Sequence, residues 1–417
     1  MQTTPGRPLL LVGAGQRAYY AHSFLQMAAT WPLVLVDRTT PAWVRPYLAG
    51  EIATGLSAAD DVVSAVRKFT ATRPAAGVVT YLTGHAALTA NVARMLGLPG
   101  NRPDAVASAQ GATWIPRAPH KAGVSTASAS MVAYEDSVMA AARTVDSPTA
   151  VTTAGGEGPL RANGVNGARA VSQGVREGAS AAPFAAAVAV EEFGLEGADV
   201  GVEAVLVSSE DIRFVAVTRN IVDTAVAASP LGYSVCAHDS LLHDETLQNS
   251  VAKAITERGL ATGVVHADVR LDTRGPRVLR ISPCLAEGLI PLLVVRATGI
   301  SLARVAASLA AGFLPDLSPT LKRAAAVRFL YPSASGQLAG RAAPEAYMGR
   351  PWLDRFSWTH QTEEEVLGPP FSGFEDRLAH WVVTGSDSLE CASRLHLVGE
   401  QISAQIVPSA DRSVDVS

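Results

Sequence analysis

The chain has 417 residues, of which 48% are hydrophobic and 17% charged, with a formal net charge of −4 at neutral pH. At roughly 100–200 residues per domain there is room for several subdomains and a large core. No basic block appears, which gives nucleic-acid binding no support. No run approaches ~18 uninterrupted apolar residues, and the opening MQTTPGRPLLLVGAG lacks a long apolar stretch, so the expectation is a cytoplasmic protein without a membrane span or signal peptide. Cys236, Cys284 and Cys391 are far apart, with no Cys-x-x-Cys or Cys/His cluster, which argues against a zinc site or a disulfide framework.

Residues 8–15, PLLLVGAG, read as a short strand ending in glycines, followed by helical spacing in RAYYAHSFLQMAA. PLVLVD (32–37) is a second strand, DDVVSAVRKFTATR (60–73) an amphipathic helix, AGVVTYL (76–82) a strand and ALTANVARMLGL (87–98) a helix. Strands alternating with helices predict a parallel α/β unit, here to about residue 103. Next comes DAVASAQGATWIPRAPHKAGV, a helix that Pro116 and Pro119 would break, and an Ala-rich stretch to about 184. Period-two alternation over 186–222 predicts two or three strands, and 244–260 a helix. Residues 263–284 read as a hairpin turning at Arg274-Gly275-Pro276, and LARVAASLAAGF (302–313) as a helix. From about 320 a strand-rich region with many turn residues begins. It closes on a strand, a Gly turn and a helix, and the last ten residues read as a disordered tail.

VGAGQRA places Gly13, Gly15 and Ala18 between strand and helix, with Asp37 closing the next strand. This matches G-x-G-x-x-A, in which glycines admit a pyrophosphate to a helix N-terminus and the acid holds a ribose hydroxyl. The turn equally suits a βα connection that binds nothing. In RVLRISPCLAEG (277–288), strand alternation puts Arg280, Ser282 and Cys284 on one face.

LGLPGNRPDAV (96–106), VEEFGLEGADVGVEAVLV (190–207) and the stretch from Gly263 to Leu302 carry a resemblance that organises the chain. They resemble the ATP-grasp ligases, of the carboxylate–amine (amino-acid and peptide) type found in bacterial secondary metabolism. The likeness covers about residues 8–405. It implies a mixed α/β and α+β ATP-grasp fold. A Rossmann-like pre-ATP-grasp domain would span 1–103, a two-lobed grasp domain 104–318 (lobes about 104–184 and 185–318), a small α+β ligase-type domain 319–407, and the tail 408–417. It further implies a cleft between the lobes, a homodimer, and amide-bond formation through an acyl phosphate. ATP and Mg²⁺ would be the cofactors, if the site is active, and a small carboxylate and an amine the substrates.

The residues expected to do that chemistry have changed. Where the family carries its two phosphate lysines this chain has Ala112 and Thr152, and no lysine lies between Lys121 and Lys253. Gly155 and Gly156 remain of the phosphate loop, beside an adverse Glu157. Where the pattern places Glu, Glu, Asn and Arg, the chain has Asp268, Arg280, Ser282 and Cys284. Arginine is permanently cationic and binds no metal. The candidate catalytic residues are Arg280, Asp268, Arg219 and His266. The candidates for holding nucleotide are Glu191, Glu192, Glu203, Gly155, Gly156 and Arg161, and Asp268 is the remaining candidate metal ligand. Arg280 has two readings, a cross-strand ion pair with Asp268 or a contact to a ligand's negative charge.

The expectation is a divergent ligase-family protein with its standard Mg·ATP chemistry lost: a pseudoenzyme, a partner to an active ligase, or a repurposed cleft. The first alternative is an active ligase in which arginines such as Arg161, Arg219 and Arg280 replace the lysines. The second is an NAD(P)-type nucleotide binder using the Gly-rich turn and Asp37. A Cys284 nucleophile served by His266 is a further reading, set against inert packing.

Overall fold

The computed structural model describes residues 6–110, 197–222, 230–273, 275–368 and 373–408, together with the backbone of four strands between 129 and 192. The chain falls into two compact units, one built from residues up to 126, 197–219 and 235–323, the other from 127–196, 220–234 and the residues from 324 onward.

The first unit opens with β1 (Leu9–Val12), α1 (Arg17–Ala28), β2 (Leu33–Asp37), β3 (Leu48–Ala53), α2 (Ala59–Thr70), β4 (Gly77–Val79), α3 (Ala86–Leu96) and α4 (Pro103–Gln110). The strands form a parallel sheet in the order β3-β2-β1-β4. β1 and β2 are continuous apolar runs because both faces of such a sheet are covered. Leu10, Val12, Val34, Val36 and Val78 pack with Val62 and Val66 of α2 and Val92 of α3. Each such side chain contributes about 1.5–3 kcal/mol on full burial. β3 was not anticipated: it is an edge strand with one buried residue, Ile52, so it lacks the apolar run of its neighbours.

Four short strands follow in the second unit, β5 (Ala129–Val132), β6 (Thr149–Thr153), β7 (Leu160–Ala162) and β8 (Val188–Glu192), ordered β5-β8-β6-β7 and antiparallel.

The first unit resumes with β9 (Ala198–Leu206) and β10 (Ile212–Ile221). After β11 (Gly232–Cys236) come α5 (Glu245–Glu257), β12 (Gly263–Asp272), β13 (Gly275–Ser282), α6 (Ile290–Thr298) and α7 (Leu302–Ala310). The strands of this stretch that carry the site run β13-β12-β9-β10, each antiparallel to the next. One face of them is apolar: Val200, Val202, Ala204, Val217, Val265, Ala267, Val269, Val278 and Ile281 pack with Leu247, Val251 and Ile255 of α5. Asp244 caps α5 by accepting from the Leu247 amide, and Ser301 caps α7 by accepting from that of Arg304. α6 reads as an apolar run in the sequence. It is a helix with seven of its residues buried, entered through Leu289, a buried non-glycine residue at φ 70°. Gly77 lies so close to the Ala310 carbonyl that no side chain fits between β4 and the end of α7.

The second unit ends with β14 (Ala324–Leu330), β15 (Gly336–Ala342), β16 (Leu353–Trp358), β17 (Glu365–Val366), β18 (Ala379–Gly385), α8 (Ser388–Gly399) and β19 (Ser403–Pro408). β18 pairs with β14 and β16, and β15 with β17 and β19. β19 carries the chain to Pro408, where the tail was expected to begin. Residues 409–417 lie outside the described residues. No single helix among the described residues is long and apolar enough to cross a membrane.

Candidate functional site

The polar face of β9, β12 and β13 gathers the ionisable residues. The register sets His266 opposite Glu203 on one side and Ser282 on the other, and Asp268 opposite Gly201 and Arg280. Directly opposed residues share a face, so Glu203, His266, Asp268, Arg280 and Ser282 stand together. β13 bulges at Leu279: Asp268 pairs with Arg280, but Val269 pairs with Val278. The extra residue resets the alternation, so Arg277 joins the same face opposite Arg270.

The contacts run in a line. His266 Nδ1 lies 2.7 Å from Glu203 Oε1, and its Nε2 lies 3.1 Å from Asp268 Oδ1. The other oxygen of Asp268 accepts from Arg280 Nε at 2.7 Å. An ionised carboxylate only accepts, so both contacts of the ring are satisfied when both of its nitrogens carry hydrogen. Burial pushes the His266 imidazolium toward neutrality, but the carboxylates of Glu203 and Asp268 outweigh it and raise its pKa to about 10. Burial likewise works against the Asp268 carboxylate, yet the Arg280 and His266 cations prevail and hold it well below the usual carboxylate range. Exposure grades along the line: the Glu203 side chain is 0% exposed, His266 8%, Asp268 33% and Arg280 56%.

Gly201 makes room for the ring. A Cβ there would sit 2.6 Å from His266 Cε1 and 3.3 Å from Thr218 Cβ. Glu203 Oε2 and Thr218 Oγ1 are buried with no hydrogen-bond partner among the described residues. Gly201 and Thr218 were not anticipated; a glycine inside the strand pattern ADVGVEAV is the signal that pointed to a close approach.

The remaining predicted residues lie elsewhere. Arg219 pairs with Val200, whose side chain belongs to the apolar face, so it does not share the face of Asp268. It binds Asp239 through two hydrogen bonds of 2.6 and 2.9 Å. Arg280 is more than half exposed. Cys284 leaves the predicted face. The strand stops at Ser282, and Cys284 turns into the apolar core, 3.6 Å from the Thr80 carbonyl. Burial pushes its thiol up to about 12, and His266 stands among the carboxylates instead. Arg161 on β7 and Glu191 on β8 are both register partners of Ala150, and Glu192 is that of Thr149. Gly155 and Gly156 lie outside the described residues.

The Gly-rich turn closes on itself. Asp37 accepts from the amides of Ala14 and Arg38, and Tyr81 donates to the Ala14 carbonyl. A Cβ on Gly13 would come 2.6 Å from Leu82 and 2.8 Å from His85, and one on Gly15 2.6 Å from Tyr20. The glycines, at φ 78° and 67°, are needed for the chain's own packing.

A magnesium ion takes about six oxygen ligands. Here both Asp268 oxygens are engaged, one by a guanidinium, and among the described residues no three His, Cys, Asp or Glu side chains group as metal ligands. The residues present do not fit the ion.

With the geometry in view, the architecture has clear counterparts. An L-amino acid ligase from Bacillus licheniformis superposes with a TM-score of 0.80 at 14% identity, over 97% of this chain and 100% of that one. Phosphoribosylglycinamide synthetase from Anaerococcus prevotii gives 0.70 at 19% identity, over 96% and 100%. N5-carboxyaminoimidazole ribonucleotide synthetase from Thermotoga maritima gives 0.66 at 13%, over 96% and 100%. The chain has the ATP-grasp fold, the architecture expected from its motifs. No protein-family model and no curated protein sequence matches it.

Proposed function

We propose that this is a divergent protein of the ATP-grasp ligase type whose standard Mg·ATP chemistry has been lost, leaving a site that binds a small molecule or serves an active ligase. The observation that carries the reading is the ion pair of Asp268 with Arg280: the carboxylate expected to hold magnesium holds a guanidinium. Arg219, offered as a replacement phosphate clamp, is bound to Asp239. Supporting it further, Ala112 and Thr152 stand where phosphate lysines were expected. Phosphoryl transfer is mostly positioning and charge neutralisation, so a site without the lysines and the metal loses most of what drives it.

The test is release of ADP from Mg·ATP with a broad panel of amino acids, alongside calorimetry with Mg·ATP. The expected result is no ADP and no magnesium-dependent nucleotide binding. ADP formed on adding an amino-acid pair would overturn the reading.

A further inference from the structure

A cavity of about 100 Å³ lies within the first unit, between β4, α3, the start of β12 and the end of α7. Its walls are short side chains: Ala86, Ala90 and Ala93 recur along one face of α3, and Ala306 and Ala310 along one face of α7. Protein interiors leave few voids larger than a water molecule, so a space of this size needs walls that cannot close. Two contacts hold them apart. In one wall the Ala310 carbonyl sits against Gly77, which fixes α7 on β4. In another, Asn101 accepts from the amides of Ala261 and Thr262 at 2.8 and 3.0 Å and donates to the Thr262 carbonyl at 2.6 Å, which fixes the 99–101 turn on the start of β12.

Among the described residues the lining carries no charged side chain. An ion brought into it would lose hydration without gaining a partner, so the site disfavours carboxylates and ammonium groups. One polar group is available. Thr89 Oγ1 is buried in the lining with no hydrogen-bond partner among the described residues, whereas the Cys284 thiol donates to the Thr80 carbonyl. A threonine hydroxyl both donates and accepts, and another hydroxyl complements it. We propose that this cavity binds a small neutral alcohol, its compact apolar body between the alanine faces and its hydroxyl on Thr89. A cavity of about 150 Å³ with aliphatic walls admits benzene or xenon, so the space here suits a body of about four or five heavy atoms. The lining shares no residue with the line from Glu203 to Arg280, and the inference goes beyond the function proposed above: it stands whether or not ATP is used.

The experiment uses the full-length chain and two probes, isobutanol read by saturation-transfer NMR and xenon read by its NMR chemical shift. The unaltered protein is expected to bind both. Isobutyrate, the same body with a carboxylate, is expected to bind at least about 10-fold more weakly than isobutanol. Ala90→Leu fills the space and is expected to abolish binding of both probes. Should that variant fail to fold, Ala306→Val narrows the cavity from α7 and is expected to weaken both. Thr89→Val keeps the shape and removes the hydroxyl; it is expected to keep xenon and to bind isobutanol about 2- to 10-fold more weakly. The proposal is overturned if the unaltered protein does not bind isobutanol, or if the filling variant that folds binds it as the unaltered protein does. Undiminished isobutanol binding by Thr89→Val, or isobutyrate binding equal to that of isobutanol, overturns the assignment of a neutral alcohol.

Discussion

The imidazole of His266 rests on the bare α-carbon of Gly201, where an added Cβ would come within 2.6 Å of the ring. The ring cannot swing away freely, because a carboxylate holds each nitrogen. Gly201→Ala is therefore expected to cost about 1–3 kcal/mol, the range for overpacking a tight site. Urea melts measure it. In combination with His266→Ala the cost should fall well below the sum of the two single changes, because the clash is removed.

The same line of charges should show a gradient of importance set by burial. Glu203→Ala leaves His266 buried without its main counter-charge, and breaking a buried pair costs about 3–5 kcal/mol. Arg280→Ala breaks a pair whose arginine is 56% exposed, worth about 0–1 kcal/mol. Equal losses for the two variants would contradict the burial argument.

The pH dependence has a definite sign. The folded pKa of His266, about 10, lies above its ordinary value of 6.5, so the native state binds the extra proton. This contribution is complete below about 6.5 and is lost as pH rises toward 10, with a slope of at most about 1.4 kcal/mol per pH unit. Stability of the unaltered protein should fall across that window more steeply than that of His266→Gln, as read by denaturant melts at stepped pH. Parallel curves would exclude the protonated ring.

Thr218 carries a buried hydroxyl with no hydrogen-bond partner among the described residues. An unmatched buried polar group costs about 1–3 kcal/mol, while an apolar group of the same shape does not. Thr218→Val is expected to be neutral or to stabilise by about 1 kcal/mol. A clear loss in the melting curve would show that the hydroxyl is satisfied in solution.

Thiol reactivity should separate the cysteines. Cys284 and Cys391 are buried, and Cys236 is half-buried. The thiolate is the reactive form, and burial holds the Cys284 thiol protonated at neutral pH. Ellman's reagent should titrate Cys236 first in the native protein, with the other two responding only on unfolding. Rapid native reaction at Cys284 would revive it as a nucleophile.

Much of the fold was legible because local chemistry and period agreed. The hairpin of β12 and β13 announces itself through its Gly-Pro turn, and α5 through the Asp244 cap before an amphipathic run. α6 was not, since valines and leucines in an unbroken run suit a buried strand equally well. The Asp268–Arg280 pair could be foreseen from hairpin register, twelve residues apart. The contact of His266 with Glu203 spans 63 residues and depends on which strand lands beside which, which spacing does not encode. Cys284 misled because alternation was carried past Ser282, whereas Pro283 ends the strand.

The discontinuity of the first unit has a kinetic consequence. Its sheet places β9 beside β12, with α5 and a passage through the second unit between them in the chain. The local hairpin can form as soon as its residues leave the ribosome, but β9 must wait for a partner emitted some sixty residues later. Until then Glu203 has a negative charge and no place to bury it. Sealing of the polar face is thus expected late in folding, and variants at His266 should accelerate unfolding far more than they slow folding.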